Sequence, residues 1–226
     1  MATEKSKGLF ITFEGVEFCG KTTQVSLLHQ HLIAKGHEVV VVREPGGTEI
    51  SEKIRRILLD KRNVGMKAMT EMLLFQASRG QLTGEVIQPA LEEGKMVICD
   101  RYFDSTTAYQ GYGRGLDLQL VQTLNQVTSL SLRPDLTFVL DMPAKHSFHR
   151  VGNLDLFVDG KVIRVDRMEI PRIVFHEKVR NGYLEMAEAE PDRFRVIPAS
   201  KTVEDIASLI AKEVDKLMDK TANSKQ

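Results

Sequence analysis

The sequence predicts an α/β fold, a five-stranded parallel sheet with helices on both faces, in one domain over residues 1–226. Short apolar runs rich in β-branched residues alternate with segments of helical spacing, a pattern typical of parallel sheets. A glycine-rich loop joins the first run to the first helix. The chain is also long enough for a sizeable core, and its composition of 42% hydrophobic and 27% charged residues is that of a globular protein.

The strands are predicted from five runs of β-forming residues, each bounded by polar residues, glycine or proline. The second run is almost entirely valine, and a run without polar alternation indicates a strand buried on both faces. The predicted strands are residues 9–13, 38–42, 96–99, 136–140 and 193–197.

The helices are predicted from apolar residues three and four positions apart. The first helix places Val25, Leu28 and Leu32 on one face and stops at Gly36, while Pro171 is tolerated in the first turn of a later helix. The predicted helices are residues 21–35, 49–59, 67–92, 118–128, 144–151 and 166–189, and a last one carrying Val203, Ile206, Ile210, Val214 and Leu217.

One segment departs from the alternation of strands and helices. Residues 154–158 and 161–165 are rich in β-formers and flank the pair Asp159-Gly160. An Asp-Gly pair supplies the positive φ angles of a two-residue turn. We therefore expect a short β-hairpin to project between two helices.

Charge and cysteine content limit the classes of function. The chain has 31 basic and 31 acidic residues, so no net field favours nucleic acid or a membrane surface. There is no apolar run near 18 residues and no leader pattern. Cys19 and Cys99 are expected to be reduced, inert thiols rather than a redox pair. We expect a cytoplasmic protein that binds neither nucleic acid nor membrane.

The loop after the first strand has the pattern G-x-x-x-x-G-K-[ST], which binds phosphate when it lies between a strand and a helix. Glycines let backbone N–H groups and the helix N-terminus approach an anion. Lys21 supplies a charge for the β- and γ-phosphates, and the Thr22 hydroxyl suits one Mg²⁺ position. The predicted ATP-binding residues are Gly15, Val16, Glu17, Phe18, Cys19, Gly20, Lys21, Thr22 and Thr23.

Two further loops follow the carboxyl ends of predicted strands, where ligands bind in open α/β sheets. The second strand ends in the polar turn 43–47, which contains Arg43, Glu44 and Pro45. The third strand ends in Asp100, and an aspartate there is the usual partner of a phosphate loop in holding Mg²⁺. Thr22 and Asp100 are therefore the candidate metal ligands.

The ordered set of motifs resembles the thymidylate kinase family over nearly the whole chain. The motifs are Phe13-Glu14-Gly15-Val16-Glu17, Arg43-Glu44-Pro45-Gly46-Gly47-Thr48, residues 75–79, Asp100-Arg101-Tyr102, Ala108-Tyr109-Gln110, Asp166-Arg167-Met168-Glu169 and residues 179–184. The resemblance implies transfer of the γ-phosphoryl group of MgATP to dTMP, giving dTDP for dTTP biosynthesis, by a P-loop kinase that forms a homodimer.

The resemblance also assigns roles on the acceptor side. Phe75 is implied to stack on thymine while Arg79 and Gln110 bond its polar edge, and Tyr109 is implied to lie against the sugar and disfavour a 2′-hydroxyl. Glu17 is implied to position the acceptor, either through its 3′-hydroxyl or near the metal. Arg101 is a candidate for the acceptor phosphate, with Arg43 as a second. The predicted substrate-binding residues are Arg43, Glu44, Pro45, Phe75, Arg79, Arg101, Ser105, Thr106, Tyr109 and Gln110.

A lid over residues 150–167 is expected to complete the catalytic charge. None of the variable loop positions, Val16 to Cys19, is basic. Members of the resembled family place an arginine either in this loop or in a lid, so here the lid must supply it. The candidates are Arg164 and Arg167, with Arg150 near the donor nucleotide. The predicted catalytic residues are Lys21, Glu17, Arg101, Arg164 and Arg167.

Other interpretations of these residues stay open at this stage. Taken alone, Phe75 is more typical of the core, and Arg79 and Arg101 are more typical of surface ion pairs. The ordered set of motifs favours function for all three. The lid cations are equally compatible with a solvated face. The alternative functions are a kinase for another nucleoside monophosphate and a regulatory P-loop ATPase. The chain lacks the Asn-Lys-x-Asp motif that reads guanine.

Overall fold

The computed structural model describes residues 8–146 and 170–223. Five parallel strands form one sheet, with β1 at Phe10–Glu14, β2 at Val39–Arg43, β3 at Met96–Asp100, β4 at Leu136–Asp141 and β5 at Phe194–Pro198. Their order across the sheet is β2-β3-β1-β4-β5. This confirms the predicted parallel sheet. The predicted hairpin at 154–165 lies outside the described residues.

The helices are α1 (Lys21–Ala34), α2 (Glu49–Leu59), α3 (Ala68–Leu82), α4 (Gln88–Glu92), α5 (Phe103–Thr106), α6 (Leu118–Thr128), α7 (Ile170–Ala189) and α8 (Val203–Asn223). Of the predicted helix 144–151, residues 144–146 are helical and the rest is outside the described residues. No helix in 8–146 or 170–223 has the length and apolarity of a membrane span.

The core lies in two layers because strand side chains alternate between the faces of the sheet. Ile11 and Phe13 of β1 belong to a buried cluster with residues of α1, α7 and α8. Phe10 and β3 residues Val97 and Cys99 belong to a second cluster with residues of α3 and α4. Helices therefore cover both faces, as predicted.

The prediction that the valine-rich strand is buried on both faces is wrong. Within residues 8–146 and 170–223, the strand β2 is at the edge of the sheet and pairs only with β3. Val42 is buried, but Val41 is 43% exposed. A continuous apolar run does not distinguish a central strand from an edge strand, because the order of strands is set by tertiary packing.

Two helical regions differ from regular α-helices. The predicted helix 67–92 is interrupted by a π-helical turn at Thr83–Ile87, between α3 and α4. Pro89 lacks the N–H that an uninterrupted α-helix would direct back to Glu85. A second π-helical segment, Thr107–Gly113, continues α5 and carries two of the predicted site residues. Such turns are frequent at functional sites.

Candidate active site

The phosphate-binding loop runs from the end of β1 to the start of α1. Gly15 and Gly20 have φ angles of 133° and 101°, which favour glycine. A Cβ atom on Gly15 would lie 2.7 Å from the carbonyl oxygen of Leu140. Nζ of Lys21 donates to the carbonyl oxygens of Val16 at 2.8 Å and Gly15 at 3.2 Å. Burial and the charge of Arg101 lower the pKa of Lys21. The ammonium group of Lys21 is therefore held by backbone carbonyl oxygens of the same loop.

The two candidate metal ligands are in direct contact. Oγ1 of Thr22 donates to Oδ2 of Asp100 at 2.7 Å. Asp100 is the last residue of β3, whose register pairs it with Phe13 just before the loop. In the described ranges, no group of three or more His, Cys, Asp or Glu side chains forms a metal site. One hydroxyl and one carboxylate nevertheless fit Mg²⁺ bound mainly through phosphate and water oxygens.

Arg101 lies between the phosphate loop and the helix that follows β3. Its Nη1 donates to the carbonyl oxygen of Gly15 at 3.1 Å and to Oγ of Ser105 at 3.2 Å, and its guanidinium group lies 5.0 Å from the centre of the Tyr109 ring. The φ angle of Arg101 is 69°, a conformation that costs about 1–3 kcal/mol in a residue other than glycine. Such strain is typical of functional positions.

Glu17 is held by three different elements. Its Oε1 accepts a hydrogen bond from Oη of Tyr109 at 2.8 Å and lies 3.7 Å from Nη2 of Arg101. Its Oε2 lies 2.8 Å from Nδ1 of His176 on α7. Burial raises the pKa of Glu17, but the hydrogen bond to His176 and the Arg101 charge outweigh it and lower the pKa to about 2. His176 was not predicted, because its contact with Glu17 joins residues 159 positions apart and no local pattern marks it.

Arg79 and Glu44 form a buried ion pair. The side chain of Arg79 is 1% exposed, and its Nε and Nη2 donate to Glu44 at 2.9 and 2.7 Å. Its other N–H groups donate to Gln76, Asn125 and Thr106. Burial raises the pKa of Glu44, and Arg79 opposes that rise. The interpretation of Arg79 as a surface ion pair is wrong, and all five of its N–H groups have protein acceptors.

The turn after β2 is fixed by two arginines. Arg43 and Arg55 each donate to the carbonyl oxygen of Pro45 at 2.8 Å, and Arg43 also pairs with Glu52 at 2.9 Å. The Glu44–Pro45 peptide bond is cis. Arg55 was not predicted, since nothing in the sequence of α2 distinguishes it from the neighbouring Arg56.

Glu14 is a buried carboxyl group that sequence reasoning did not select. It is fully buried, and it accepts hydrogen bonds from the Tyr102 N–H at 2.7 Å, from Ser105 at 2.6 Å and from Tyr183 at 2.8 Å. Burial, with the charge of Asp104, raises its pKa to about 7. The available signal was an acidic residue ending an otherwise apolar strand.

Many of these side chains line a cavity of about 720 Å³, although Glu14 and His176 do not. Of the predicted residues, those that line it are Glu17, Phe18, Lys21, Thr22, Arg43, Glu44, Pro45, Phe75, Arg79, Asp100, Arg101, Ser105, Thr106, Tyr109 and Gln110. Phe18 is 51% exposed with a φ angle of 59°. Phe75 is half-buried in the cavity wall rather than in either core cluster. Arg55, Glu71, Arg114 and Phe175 line the cavity without having been predicted.

Several predicted residues do not enter this geometry. Gly15, Val16, Cys19, Gly20 and Thr23 belong to the loop but do not line the cavity. Cys19 and Cys99 are free, buried thiols. Arg150, Arg164 and Arg167 lie outside the described residues.

Comparison with known proteins points to one family. A family model described as thymidylate kinase matches residues 13–210. The thymidylate kinase of Geotalea uraniireducens (strain Rf4) is 47% identical over 207 residues, which cover 92% of this chain and 96% of that protein. The thymidylate kinase of Chlorobium luteolum is 47% identical over 208 residues, 92% of this chain and 97% of that protein.

The fold is similar to a solved structure of the same description. The crystal structure of thymidylate kinase from Ehrlichia chaffeensis superposes with a TM-score of 0.74 at 33% sequence identity. The match covers 92% of this chain and 99% of that chain.

Proposed function

This chain belongs to the thymidylate kinase family and is a dTMP kinase, and on that premise we propose how its residues divide the work of the reaction. The observation that carries the proposal is the single cavity lined both by Lys21 and Thr22 and by Phe75 and Tyr109. Direct transfer requires the donor and acceptor phosphates in line in one water-excluding site.

The donor side is formed by the phosphate loop. Lys21 exchanges its bonds to the loop carbonyl oxygens for bonds to the ATP phosphates, and the loop N–H groups bind the same phosphates. Thr22 and Asp100 would hold Mg²⁺, an ion that is usually bound by one or two protein side chains together with substrate phosphates. When bound, Mg²⁺ offsets the negative charge of the phosphates. Replacing Asp100 with Asn is expected to raise the Mg²⁺ concentration that gives half-maximal rate.

The acceptor side is formed by residues that follow β2 and β3 and by α3. Arg101 binds the dTMP phosphate, supported by its fixed position between Gly15 and Ser105. Phe75 stacks on the flat face of the base. Glu17, kept ionised at neutral pH, positions the sugar hydroxyl together with Tyr109.

The remaining acceptor residues shape the pocket. Arg79 supports its wall through Glu44 and Thr106, and its N–H groups would have to leave those acceptors to bond thymine. Arg43 and Arg55 add positive charge near the acceptor phosphate.

The lid supplies the last cation. No basic residue occupies the variable positions of the loop, so Arg164 or Arg167 stabilises the transferring phosphoryl group, with Arg150 near the donor nucleotide. By analogy with arginine fingers, its removal should lower kcat by about 10³–10⁵. Turnover that Arg164→Ala and Arg167→Ala each leave unchanged would contradict this assignment.

We also propose a cytoplasmic homodimer. Apolar side chains with helical spacing are exposed on three packed helices, namely Ile50 and Ile57 of α2, Met69 and Leu73 of α3, and Leu120 and Val127 of α6. Exposed apolar side chains on neighbouring helices are the basis for proposing an interface there. Light scattering after gel filtration should give a dimer mass that Leu73→Glu reduces to a monomer mass. The two free cysteines fit a reducing compartment.

A coupled ADP-release assay with dTMP, dUMP, UMP, CMP, GMP and AMP tests the function. We expect ATP- and Mg²⁺-dependent turnover with dTMP as the preferred acceptor. Turnover that prefers another monophosphate would favour a different nucleotide kinase. ADP release independent of dTMP would favour a regulatory ATPase.

A further inference from the structure

The side-chain amide of Gln110 has a fixed orientation. Gln110 is buried in the cavity wall, and its Nε2 donates to Oε1 of Glu71 at 2.8 Å. A carboxylate only accepts hydrogen bonds, so the amide atom that faces Glu71 must be the nitrogen. Oε1, the side-chain oxygen of the same amide, accepts no hydrogen bond from residues 8–146 or 170–223. It is the polar end that remains for a ligand.

Glu71 is itself held in place. Nε and Nη2 of Arg114 donate to its two oxygens at 3.2 and 3.0 Å, a bidentate contact. The guanidinium group of Arg114 lies 4.8 Å from the centre of the Phe175 ring, which restricts it further. Glu71 therefore presents an acceptor to Gln110 from a defined position.

The position of Glu71 connects it with the proposed base contacts. Glu71, Phe75 and Arg79 are four residues apart on α3 and so share one face of that helix. All three line the cavity, as does Gln110. The Glu71–Gln110 contact thus lies beside the ring expected to stack on the base.

The orientation of the Gln110 amide determines which base edges it can bind. Thymine and uracil have one N–H donor on the ring edge, at N3, between two carbonyl acceptors. Cytosine has an unprotonated, accepting N3. A fixed carbonyl oxygen can accept from the N3–H group of thymine or uracil. Facing cytosine, it meets another acceptor at N3. An amide free to rotate by 180° would offer its N–H₂ group to cytosine instead.

We propose that Glu71 is a positioning residue that fixes the sense of the Gln110 amide, so that the enzyme reads the N3–H group of thymine and rejects cytosine. The proposal rests on the acceptor site proposed above. A site built around one hydrogen bond discriminates strongly, because the wrong partner leaves a buried polar group unpaired. Glu71 acts through Gln110 and does not contact the reacting atoms.

The test measures kcat/KM of the full-length protein for dTMP, dUMP and dCMP in Glu71→Gln. Glutamine at position 71 has nearly the same shape but accepts and donates, so both senses of the Gln110 amide become possible. We expect the dTMP to dCMP ratio to fall by about tenfold or more, the effect of about 1.4 kcal/mol. The dTMP to dUMP ratio should stay constant, because both bases carry the N3–H group.

The matched control is Glu85→Gln. Glu85 accepts from the Gln81 amide at 2.6 Å in the same kind of contact, but on the exposed surface. It should leave all three kcat/KM values unchanged. In a Gln110→Leu background, Glu71→Gln should no longer alter the dTMP to dCMP ratio, since the amide is gone.

Two results would overturn the proposal. One is a common fall for all three substrates in Glu71→Gln and in the smaller Glu71→Ala, which would assign Glu71 a purely structural role. The other is a changed dTMP to dCMP ratio that persists in the Gln110→Leu background. Failure of the proposed function itself is a separate outcome, because the unmodified enzyme would then show no dTMP-dependent turnover.

Discussion

The buried carboxyl group of Glu14 should make the stability of the protein depend on pH in an unusual direction. Burial, with the charge of Asp104, raises its pKa from 4.5 to about 7. Between these pH values the folded protein binds a proton that the unfolded chain has released, so the free energy of unfolding decreases as the pH rises. A gap of about 2.5 pH units at about 1.4 kcal/mol each corresponds to about 3 kcal/mol.

The perturbation is Glu14→Gln, which keeps the shape of the side chain and removes its titration. Urea unfolding curves of both proteins should be recorded from pH 4.5 to 8, since other titrating groups largely cancel in the difference. The stability of the unmodified protein relative to Glu14→Gln should fall by about 3 kcal/mol across this range. A constant difference over the whole range would refute the reasoning. Equal urea m-values would show that the same transition is compared.

Three further predictions concern single charges in the site. Lys21→Met should lower kcat by about 10²–10³ without lowering the melting temperature, because it removes a buried ammonium group; residual kcat near that of the unmodified enzyme would contradict this. Glu44→Gln should lower the free energy of unfolding in urea by about 3–5 kcal/mol, since Arg79 loses its buried counterion, and Glu44→Gln/Arg79→Met should recover part of that loss. Glu17 has its pKa lowered to about 2, so it contributes stability above pH 4.5 that is lost as the pH falls toward 2. Between pH 6 and pH 3, the melting temperature should therefore fall further for the unmodified protein than for Glu17→Gln. Equal falls in melting temperature would contradict this prediction.

Much of the fold could be predicted because it is determined by local sequence. The helices α2 and α6 begin and end at the predicted residues. Thr48 and Asp117 define their first turns by accepting from the backbone N–H groups of Ser51 and Leu120. The edge position of β2 was not predictable in this way, because the order of strands depends on packing between distant segments. The π-helical turns likewise left no recognisable spacing in the sequence.

The site residues likewise fall into those that a local motif predicts and those that only the tertiary fold brings together. The phosphate loop is contiguous, so Lys21 and Thr22 were found from the spacing of glycine, lysine and threonine. Contacts such as Glu14 with Tyr183 join residues 169 positions apart. Glu71 of α3 and Gln110 of the π-helical segment that follows α5 are 39 positions apart, and only the tertiary fold brings them together. No local pattern encodes such pairs.

The carbonyl oxygen of Gly15 has a consequence for how the two nucleotides bind. It accepts from Nζ of Lys21 at 3.2 Å and from Nη1 of Arg101 at 3.1 Å, one cation on each side of the site. In the proposed mechanism, Lys21 leaves this oxygen to bind ATP. Arg101 then remains as its donor, which changes how freely the Arg101 side chain can move to bind dTMP. The proposed roles of Lys21 and Arg101 therefore predict that donor and acceptor affinities are thermodynamically coupled through a single backbone atom. By reciprocity, the factor by which ATP alters dTMP affinity equals the factor by which dTMP alters ATP affinity.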